Sequence, residues 1–340
     1  MKVGVRKALV TLPLVSFLLL GIGSCGGGSN APGSGGGAGG SSGQEYLWEF
    51  SSDPNLHIAT IDTATGQLGA PTATGGIACN SDGTIPSIAV TPSNKFTFVI
   101  DKCFTSIHVY AMSGPGVVLK EIPESPYFTS NFLNSIAIDP EGKYLYVIAT
   151  NPGGSILDQI SVDGGTGELT LNSTTTLTGS FGQAVVDPHG KFLFANDVGD
   201  GKILAYSIGG NGTLSQVPGS PFPTSNQPFT LAIAPSAKFL YSIGGGSNNT
   251  IDAFTIDAET GALTSVPGSP FPAPASLSSL VVDASSGFLY ATVQTASALP
   301  SASVLFGFSI DSSDGSLTAL ATSPYPAPSF PSDAVSLNIP

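Results

Sequence analysis

The amino-acid sequence predicts an all-β fold made of repeated four-stranded sheets. The first observation is a hairpin-like segment that occurs five times, with two short runs of Ile, Val, Phe and Tyr joined by a polar turn. The second is its spacing, because the turn markers Pro92, Pro140, Pro188, Pro235 and Ala284 follow at intervals of 48, 48, 47 and 49 residues. The third is that no stretch sustains a helical period. This period with several strands per unit indicates a propeller or a solenoid.

The repeat contains two further strands after each hairpin. The five hairpins are SIAVTPSNKFTFVI (87–100), SIAIDPEGKYLYVI (135–148), QAVVDPHGKFLFAN (183–196), LAIAPSAKFLYSI (231–243) and SLVVDASSGFLYAT (279–292). A variable loop, a third strand, a glycine turn and a fourth strand follow, as in ILAYSI (203–208), NGTLSQV (211–217) and PGSPFP (218–223). Four strands per unit are typical of the blades of a β-propeller.

The two ends of the repeated region together complete one more blade. Residues 46–74 supply a second, third and fourth strand without a first, and residues 333–339 supply a first strand with nothing after it. A ring closed by strands from both termini has no open sheet edge, which favours this pairing. We therefore count six blades in a domain that spans residues 44–340.

The segment before this domain is typical of export. Lys2, Arg6 and Lys7 precede a short apolar run that ends in small residues, so residues 1–25 are predicted to be a signal peptide. The sequence Ile-Gly-Ser-Cys at 22–25 resembles the lipobox of bacterial lipoproteins, which implies that Cys25 carries the lipid; an ordinary signal peptide is the alternative. Residues 26–43 are nearly all Gly, Ser and Ala and are predicted to be a flexible tether. We expect a lipid-anchored protein of the cell envelope, at the outer membrane.

The repeat motifs resemble a known bacterial family. The FLY and KYLYVIATN segments, the TG-x-L turns and the PGSPFP ends are similar to lactonase-like β-propellers, related to 6-phosphogluconolactonase, carboxymuconate cyclase and YVTN-repeat proteins. That resemblance implies seven blades where we count six, and implies hydrolysis or cycloisomerisation of a lactone or sugar acid. Because the motifs are structural, they indicate the fold more strongly than the activity.

Charge and motif content narrow the function. Residues 44–340 contain seven lysines, no arginine and all 23 acidic residues, a formal charge of −16. This excludes nucleic acid as a natural partner and removes the arginine fork that suits anionic substrates. No nucleophile, zinc-protease or phosphate-loop motif occurs. His57 and His108 fall on predicted strands and His189 in a turn, so we expect structural roles for all three.

Two sets of residues remain as candidate sites. Cys79 and Cys103 are predicted on the same face of adjoining segments and so to form a disulfide, with free thiols as the alternative. Polar residues open each innermost strand and are predicted either to pack where the strands crowd or to line a shallow site for a neutral ligand. They are Ser87, Ser135, Gln183, Thr230, Ser279 and Asp333. We expect no metal, no cofactor and no assigned catalytic residue.

These observations favour a non-catalytic binding or scaffold module. It would be a lipid-anchored monomer that presents its loops to a protein or glycan in the envelope or outside the cell. The alternative is a lactonase-like hydrolase or cycloisomerase that acts on a lactone or sugar acid.

Overall fold

The computed structural model describes most of residues 87–326 and short parts of the chain before them. The described residues are 22–23, 44–50, 55–61, 72–76, 87–93, 95–101, 105–113, 118–244, 250–273, 277–283, 285–293, 304–321, 323 and 325–326. Every regular element among them is a β-strand, and they form six antiparallel sheets, which we call blades 1 to 6. Within these residues no helix has the length and hydropathy needed to cross a bilayer.

Blades 1 to 3 contain strands β1 to β13. Blade 1 comprises β1 Ile22–Gly23, β2 Gln44–Phe50, β3 Asn55–Ile61 and β4 Thr72–Gly76. Blade 2 comprises β5 Ile88–Val90, β6 Phe96–Asp101, β7 Ser106–Ser113, β8 Val118–Glu121 and β9 Tyr127–Phe128. Blade 3 comprises β10 Phe132–Ile138, β11 Tyr144–Asn151, β12 Gly154–Val162 and β13 Leu169–Leu177.

Blades 4 to 6 contain strands β14 to β28. Blade 4 comprises β14 Phe181–Val186, β15 Phe192–Asp197, β16 Lys202–Ile208, β17 Leu214–Gln216 and β18 Phe222–Pro223. Blade 5 comprises β19 Pro228–Ile233, β20 Phe239–Gly244, β21 Thr250–Ile256, β22 Leu263–Ser265 and β23 Phe271–Pro272. Blade 6 comprises β24 Leu277–Val282, β25 Phe288–Val293, β26 Val304–Ile310, β27 Leu317–Ala319 and β28 Tyr325–Pro326.

The predicted hairpins are the first two strands of blades 2 to 6, in sequence order. In all but blade 5, where Ala234 stands at this position, the turn is held by one side chain at the end of the first strand. In blade 3 the carboxylate of Asp139 accepts from the N–H groups of Lys143 and Tyr144 at 2.6 and 2.8 Å. Asp187 and Asp283 form the equivalent bonds in blades 4 and 6. These buried acids are therefore turn residues, since their oxygens already accept from the backbone.

The fourth position of most blades is divided between two short strands, which the sequence does not predict. In blade 4, β17 pairs with the end of β16 and β18 pairs with its beginning. The same division occurs in blades 2, 5 and 6, whereas β13 of blade 3 spans the whole third strand. A serine joins the two parts, because Ser220 Oγ accepts from the N–H of Ala205 at 2.9 Å and Ser125, Ser269 and Ser323 do the same in their blades. A cis Ser-Pro bond follows the serine in blades 2, 4 and 5.

The core lies between consecutive blades. One cluster joins blades 2 and 3, another joins blades 3 and 4, a third joins blades 4 and 5, and the last joins blades 5 and 6. Blades 3 to 5 thus bury both apolar faces, and the first strands β5, β10, β14, β19 and β24 contact one another in that order. This stacking about a common row of first strands is the arrangement expected of a propeller.

Blade 1 differs from the predicted closure in its described part. The strand that pairs with β2 is the two-residue β1, in the register Ile22–Glu45 and Gly23–Gln44. Residues 333–339, which were predicted to fill this place, lie outside the described residues, so the shared blade stays a prediction.

Candidate functional site

The polar ring predicted from the sequence lies at the contacts between first strands. Ser87, Ser135, Gln183, Thr230 and Ser279 are all buried, with at most 8% of their surface exposed. Ser87 Oγ accepts from the N–H of Ile136 at 3.1 Å, and Ser135 Oγ accepts from the N–H of Ala184 at 3.0 Å. Both bonds connect one blade to the next.

Gln183 continues the same pattern toward blade 5. Its Oε1 accepts from the N–H of Leu231 at 2.7 Å and from the hydroxyl of Thr230 at 3.1 Å. An innermost strand leaves backbone groups unpaired along its free edge, and these side chains supply partners for them. Ser87, Ser135, Gln183 and Thr230 therefore join blades, whereas the Ser279 hydroxyl has no hydrogen-bond partner among the described residues. The proposed contact of the ring with a ligand stays a prediction. Asp333, the sixth member, lies outside the described residues.

The cysteines also lie outside the described residues. Neither the lipidation of Cys25 nor the disulfide between Cys79 and Cys103 is tested by the structure. The described histidines have the structural positions that we expected. His189 lies in a turn, and His108 is a buried strand residue whose Nδ1 lies 2.6 Å from Glu121 Oε1. Within the described residues, no three His, Cys, Asp or Glu side chains are grouped so as to hold a metal.

A feature that the sequence analysis missed is a pair of buried carboxylates on third strands. Asp158 on β12 and Asp252 on β21 are each only 4% exposed. Their pairing registers, with Val147 and Ser242 on the second strands, place them at the same position of the repeat. An acid inside an otherwise apolar strand, as in TIDAFTI, is a signal that could have identified them.

Asp252 lies at the seam between blades 4 and 5. The N–H of Ser225, which follows β18, lies 3.3 Å from both carboxylate oxygens of Asp252. Beside it, Asn226 Nδ2 donates to Thr250 Oγ1 at 2.7 Å. Burial raises the pKa of Asp252, and the bonds from Ser225 only partly oppose this rise. The result is a carboxyl group that takes up a proton more readily than a surface aspartate.

Asp158 has the same position at the seam between blades 2 and 3. Burial raises its pKa as well, against a hydrogen bond from the Thr174 hydroxyl that lowers it. Tyr127 on β9 is close enough that burial and the charge of Asp158 raise the pKa of its phenol. The segment Thr-Ser-Asn occurs after β9 at 129–131 and after β18 at 224–226, so both acids follow the same motif.

Both Thr-Ser-Asn segments lie at one edge of the blades, where the N–H groups of Thr129 and Thr224 donate to the carbonyls of Thr105 and Gly201. We call this edge the loop edge. It is the end at which second strands finish and third strands begin, as at Asp197 and Lys202 of blade 4. Asp197 Oδ1 accepts there from the N–H groups of Ser180, Gly199 and Asp200 at 3.1, 3.1 and 3.2 Å. Those bonds fix the loop and occupy the carboxylate. Asp252 is thus the acid of this seam with a raised pKa, which makes it a candidate for proton transfer.

The fold and the paired seams together define a β-propeller with an acidic loop edge. Residues 180–328, which form blades 4 to 6, match the model of the family described as "Lactonase, 7-bladed beta-propeller". This confirms the resemblance of the chain to lactonase-like propellers. The family is described with seven blades, whereas the described residues contain six. No curated protein sequence matches the chain.

Solved structures with the same fold support this class. A candidate 6-phosphogluconolactonase from Bacteroides fragilis is 14% identical with a TM-score of 0.64, covering 84% of this chain and 82% of its own. The periplasmic gluconolactonase PpgL of Pseudomonas aeruginosa is 15% identical with a TM-score of 0.62, covering 82% and 81%. A Lactobacillus plantarum protein is 18% identical with a TM-score of 0.61, covering 86% and 84%. At these identities the similarity establishes the fold alone.

Proposed function

We propose that this protein is a lactonase-like hydrolase that opens an uncharged sugar lactone at the seam between blades 4 and 5. The observation that carries the proposal is the family match over residues 180–328, because that part of the chain contains Asp252. The names of the two gluconolactonase-type neighbours give the substrate class. This replaces the scaffold role as the preferred function, since the comparisons support the lactonase alternative better.

Hydrolysis of a lactone requires a general base and hydrogen-bond donors to the carbonyl oxygen. In the proposed step, the carboxylate of Asp252 takes a proton from water while the water oxygen bonds to the lactone carbonyl carbon. The ring C–O bond then breaks, and the proton returns to the departing alkoxide, which yields the hydroxy acid. The hydroxyl of Thr250 lies at the same seam, where its oxygen accepts from Asn226 Nδ2, and it is a candidate donor to the carbonyl oxygen.

Charge favours a neutral lactone over a phosphorylated one. The domain carries no arginine, and its formal charge is −16. Lys202 is at the loop edge of blade 4, but its Nζ lies 3.2 Å from Asp200 Oδ2, so its charge is already compensated. Asp197, which pairs with Lys202 across the two strands, adds negative charge beside it. A phosphate group would therefore meet an acidic surface without the fork of donors that usually binds it.

The test measures acid release by the purified full chain in mild detergent. D-glucono-1,5-lactone and its 6-phosphate are compared in a pH-stat, with the uncatalysed rate subtracted. We expect turnover of the neutral lactone and a drop in kcat/KM of about 10²- to 10⁴-fold in Asp252→Asn. Asp158→Asn is the matched control, because it removes the equivalent buried charge at the other seam and should leave activity unchanged. Equal losses in the two variants, or no turnover of either lactone, would refute the proposal. Asp333→Ala, assayed beside them, tests the polar ring.

We also propose that the chain is held in the cell envelope by a lipid on Cys25. The support is the sequence alone, namely the apolar run that ends at Cys25 and the Gly/Ser tether after it. Radiolabelled palmitate should be incorporated by the expressed protein and not by Cys25→Ala. Incorporation that persists in the variant would contradict the assignment.

A further inference from the structure

We propose that the loop edge at the seam between blades 2 and 3 binds a neutral oligosaccharide through the rings of Phe128 and Phe132. These two side chains are 67% and 68% exposed, more than any other large apolar side chain among the described residues. Phe128 ends β9 and Phe132 begins β10, so both lie on the link that crosses this seam.

The repeat shows that neither phenylalanine is required by the fold. The position of Phe128, opposite the first residue of the third strand, is occupied in the other blades by Pro223, Pro272 and Pro326. The position of Phe132, three residues before the ring residue, is occupied by Thr84, Ser180, Gln227 and Ser276. Four blades thus fold with proline or polar residues at positions where this seam exposes two aromatic rings.

The size of the patch fits a small ligand better than a protein. A phenylalanine presents about 200 Å² when fully exposed, so the two rings expose about 270 Å² together. A stable protein interface buries about 800 Å² on each partner. The two Cα atoms are at most about 14 Å apart along the chain. Two flat apolar rings within this distance can each cover the face of one sugar unit in a short oligosaccharide.

The segment of the chain that carries the two rings has only neutral side chains, several of which can form hydrogen bonds. Between Ser125 and Ile138 the chain carries no charged residue, and Thr129, Ser130, Asn131 and Asn134 lie on the link or directly after it. Thr129 Oγ1 donates to the carbonyl of Asn131 at 3.0 Å and accepts from the N–H of Asn131 at 3.2 Å, so the link between the two rings is held by neutral hydrogen bonds. The uncharged segment 125–138 belongs to a domain of formal charge −16. Such a surface disfavours polyanions as ligands and suits neutral sugars, which are rich in hydroxyl groups.

This site is separate from the lactone site proposed above. The acid of its own seam, Asp158, is buried beneath the link and accepts from Thr174, so it is not needed for stacking. Binding of an oligosaccharide here would hold the protein on a glycan while blades 4 to 6 act on a soluble substrate. The two proposals can therefore fail independently.

The experiment titrates the full chain with cellohexaose, maltohexaose and N-acetylchitohexaose by isothermal calorimetry and saturation-transfer NMR. Phe128→Pro and Phe132→Ser introduce the residues of the other blades, and Phe128→Ala serves as a second replacement. Leu171→Thr is the control, because Leu171 is also exposed but lies on β13. We expect at least one hexasaccharide to bind, with affinity about tenfold lower in each phenylalanine variant and unchanged in Leu171→Thr and Asp252→Asn.

Three outcomes would overturn the proposal. The first is that no hexasaccharide binds, and the second is that Phe128→Pro and Phe132→Ser bind as tightly as the wild type. The third is self-association of the wild type that the two substitutions abolish. The last outcome would assign the patch to contact with a second copy of the chain. Melting curves of the variants distinguish loss of binding from loss of folding.

Discussion

Replacing Ser135 by alanine tests whether the polar ring joins the blades. Ser135 is 1% exposed, and its Oγ accepts from the N–H of Ala184 at 3.0 Å across the contact between blades 3 and 4. The substitution leaves this buried N–H without a partner, which costs about 1 to 3 kcal/mol. For a domain of this length, 1 kcal/mol corresponds to roughly 2 °C in Tm, so Ser135→Ala should melt about 2 to 6 °C lower.

Ser242→Ala is the matched control, and we expect it not to lower the Tm. Ser242 on β20 is also fully buried, but its hydroxyl has no hydrogen-bond partner among the described residues. Val99, Val147, Ala195 and Ala291 stand at the same position of other blades. Removing an unsatisfied buried hydroxyl should leave the Tm unchanged or raise it. Calorimetric melting of both variants in one buffer decides the matter, and equal Tm losses would show that the interblade hydrogen bond is not what stabilises the ring.

The remaining predictions concern a turn, a buried phenol, a buried acid and the cysteines. Gly212→Ala should lower the free energy of unfolding in urea by roughly 2 kcal/mol or more, because Gly212 has φ +77° and an added Cβ would lie 2.5 Å from Gln159 Nε2. Gly210→Ala is its control, because an added Cβ there has no atom within 4 Å. Its free energy of unfolding should be within about 0.5 kcal/mol of the wild type. Tyr146→Phe should cost about 1 to 2 kcal/mol in the same measurement, since its hydroxyl donates to the buried carbonyl of Gly212 at 2.9 Å, and no change would contradict that bond. Because burial raises the pKa of Asp252, its contribution to stability is fully present below the pKa of the unfolded chain and is lost as pH rises through the folded pKa. The Tm of Asp252→Asn minus that of the wild type should therefore be larger at pH 7.5 than at pH 4. The same Tm difference at both pH values would rule this out. Intact mass before and after reduction should differ by about 2 Da if Cys79 and Cys103 form the predicted disulfide, and alkylation of both thiols without reductant would disprove it.

The sequence predicts the blades well because each hairpin carries its own local signals. The markers at Pro140 and Pro188 coincide with turns that Asp139 and Asp187 stabilise by accepting from the backbone. Those signals lie within about ten residues, so no distant contact is needed to recognise them. The division of the fourth position into two short strands was missed, because Phe222 and Pro223 pair with only two residues of β16 and such a short pairing has no period.

The site was harder to predict because it depends on contacts between repeats. The sequence shows that Ser135 and Gln183 occupy equivalent positions, but not that their side chains bond to the next first strand. The raised pKa of Asp252 likewise follows from burial at a seam between two blades. The repeat period shows which residues of different blades are equivalent, but it does not show which residues contact each other across a seam. The bonded pairs are 49 residues apart for Ser135 and Ala184 and 27 apart for Asp252 and Ser225, so they leave no local sequence pattern.

The residue at one position of the third strand differs in chemical type from one seam to the next. The residues that share the third-strand register of Asp252 are His108, Asp158, Leu204 and Phe306. A buried aspartate occurs at the two seams whose preceding blade ends in Thr-Ser-Asn, whereas Phe306 follows a blade that continues as Ala-Pro-Ala at 273–275. The acid and the segment facing it therefore vary together within one chain. For Asp252 the reason is physical, because a buried carboxylate needs donors and the N–H of Ser225 in this segment supplies one, whereas the Asp158 carboxylate accepts from Thr174. Equivalent positions of the repeat thus hold an apolar side chain at one seam and a buried carboxylate at another.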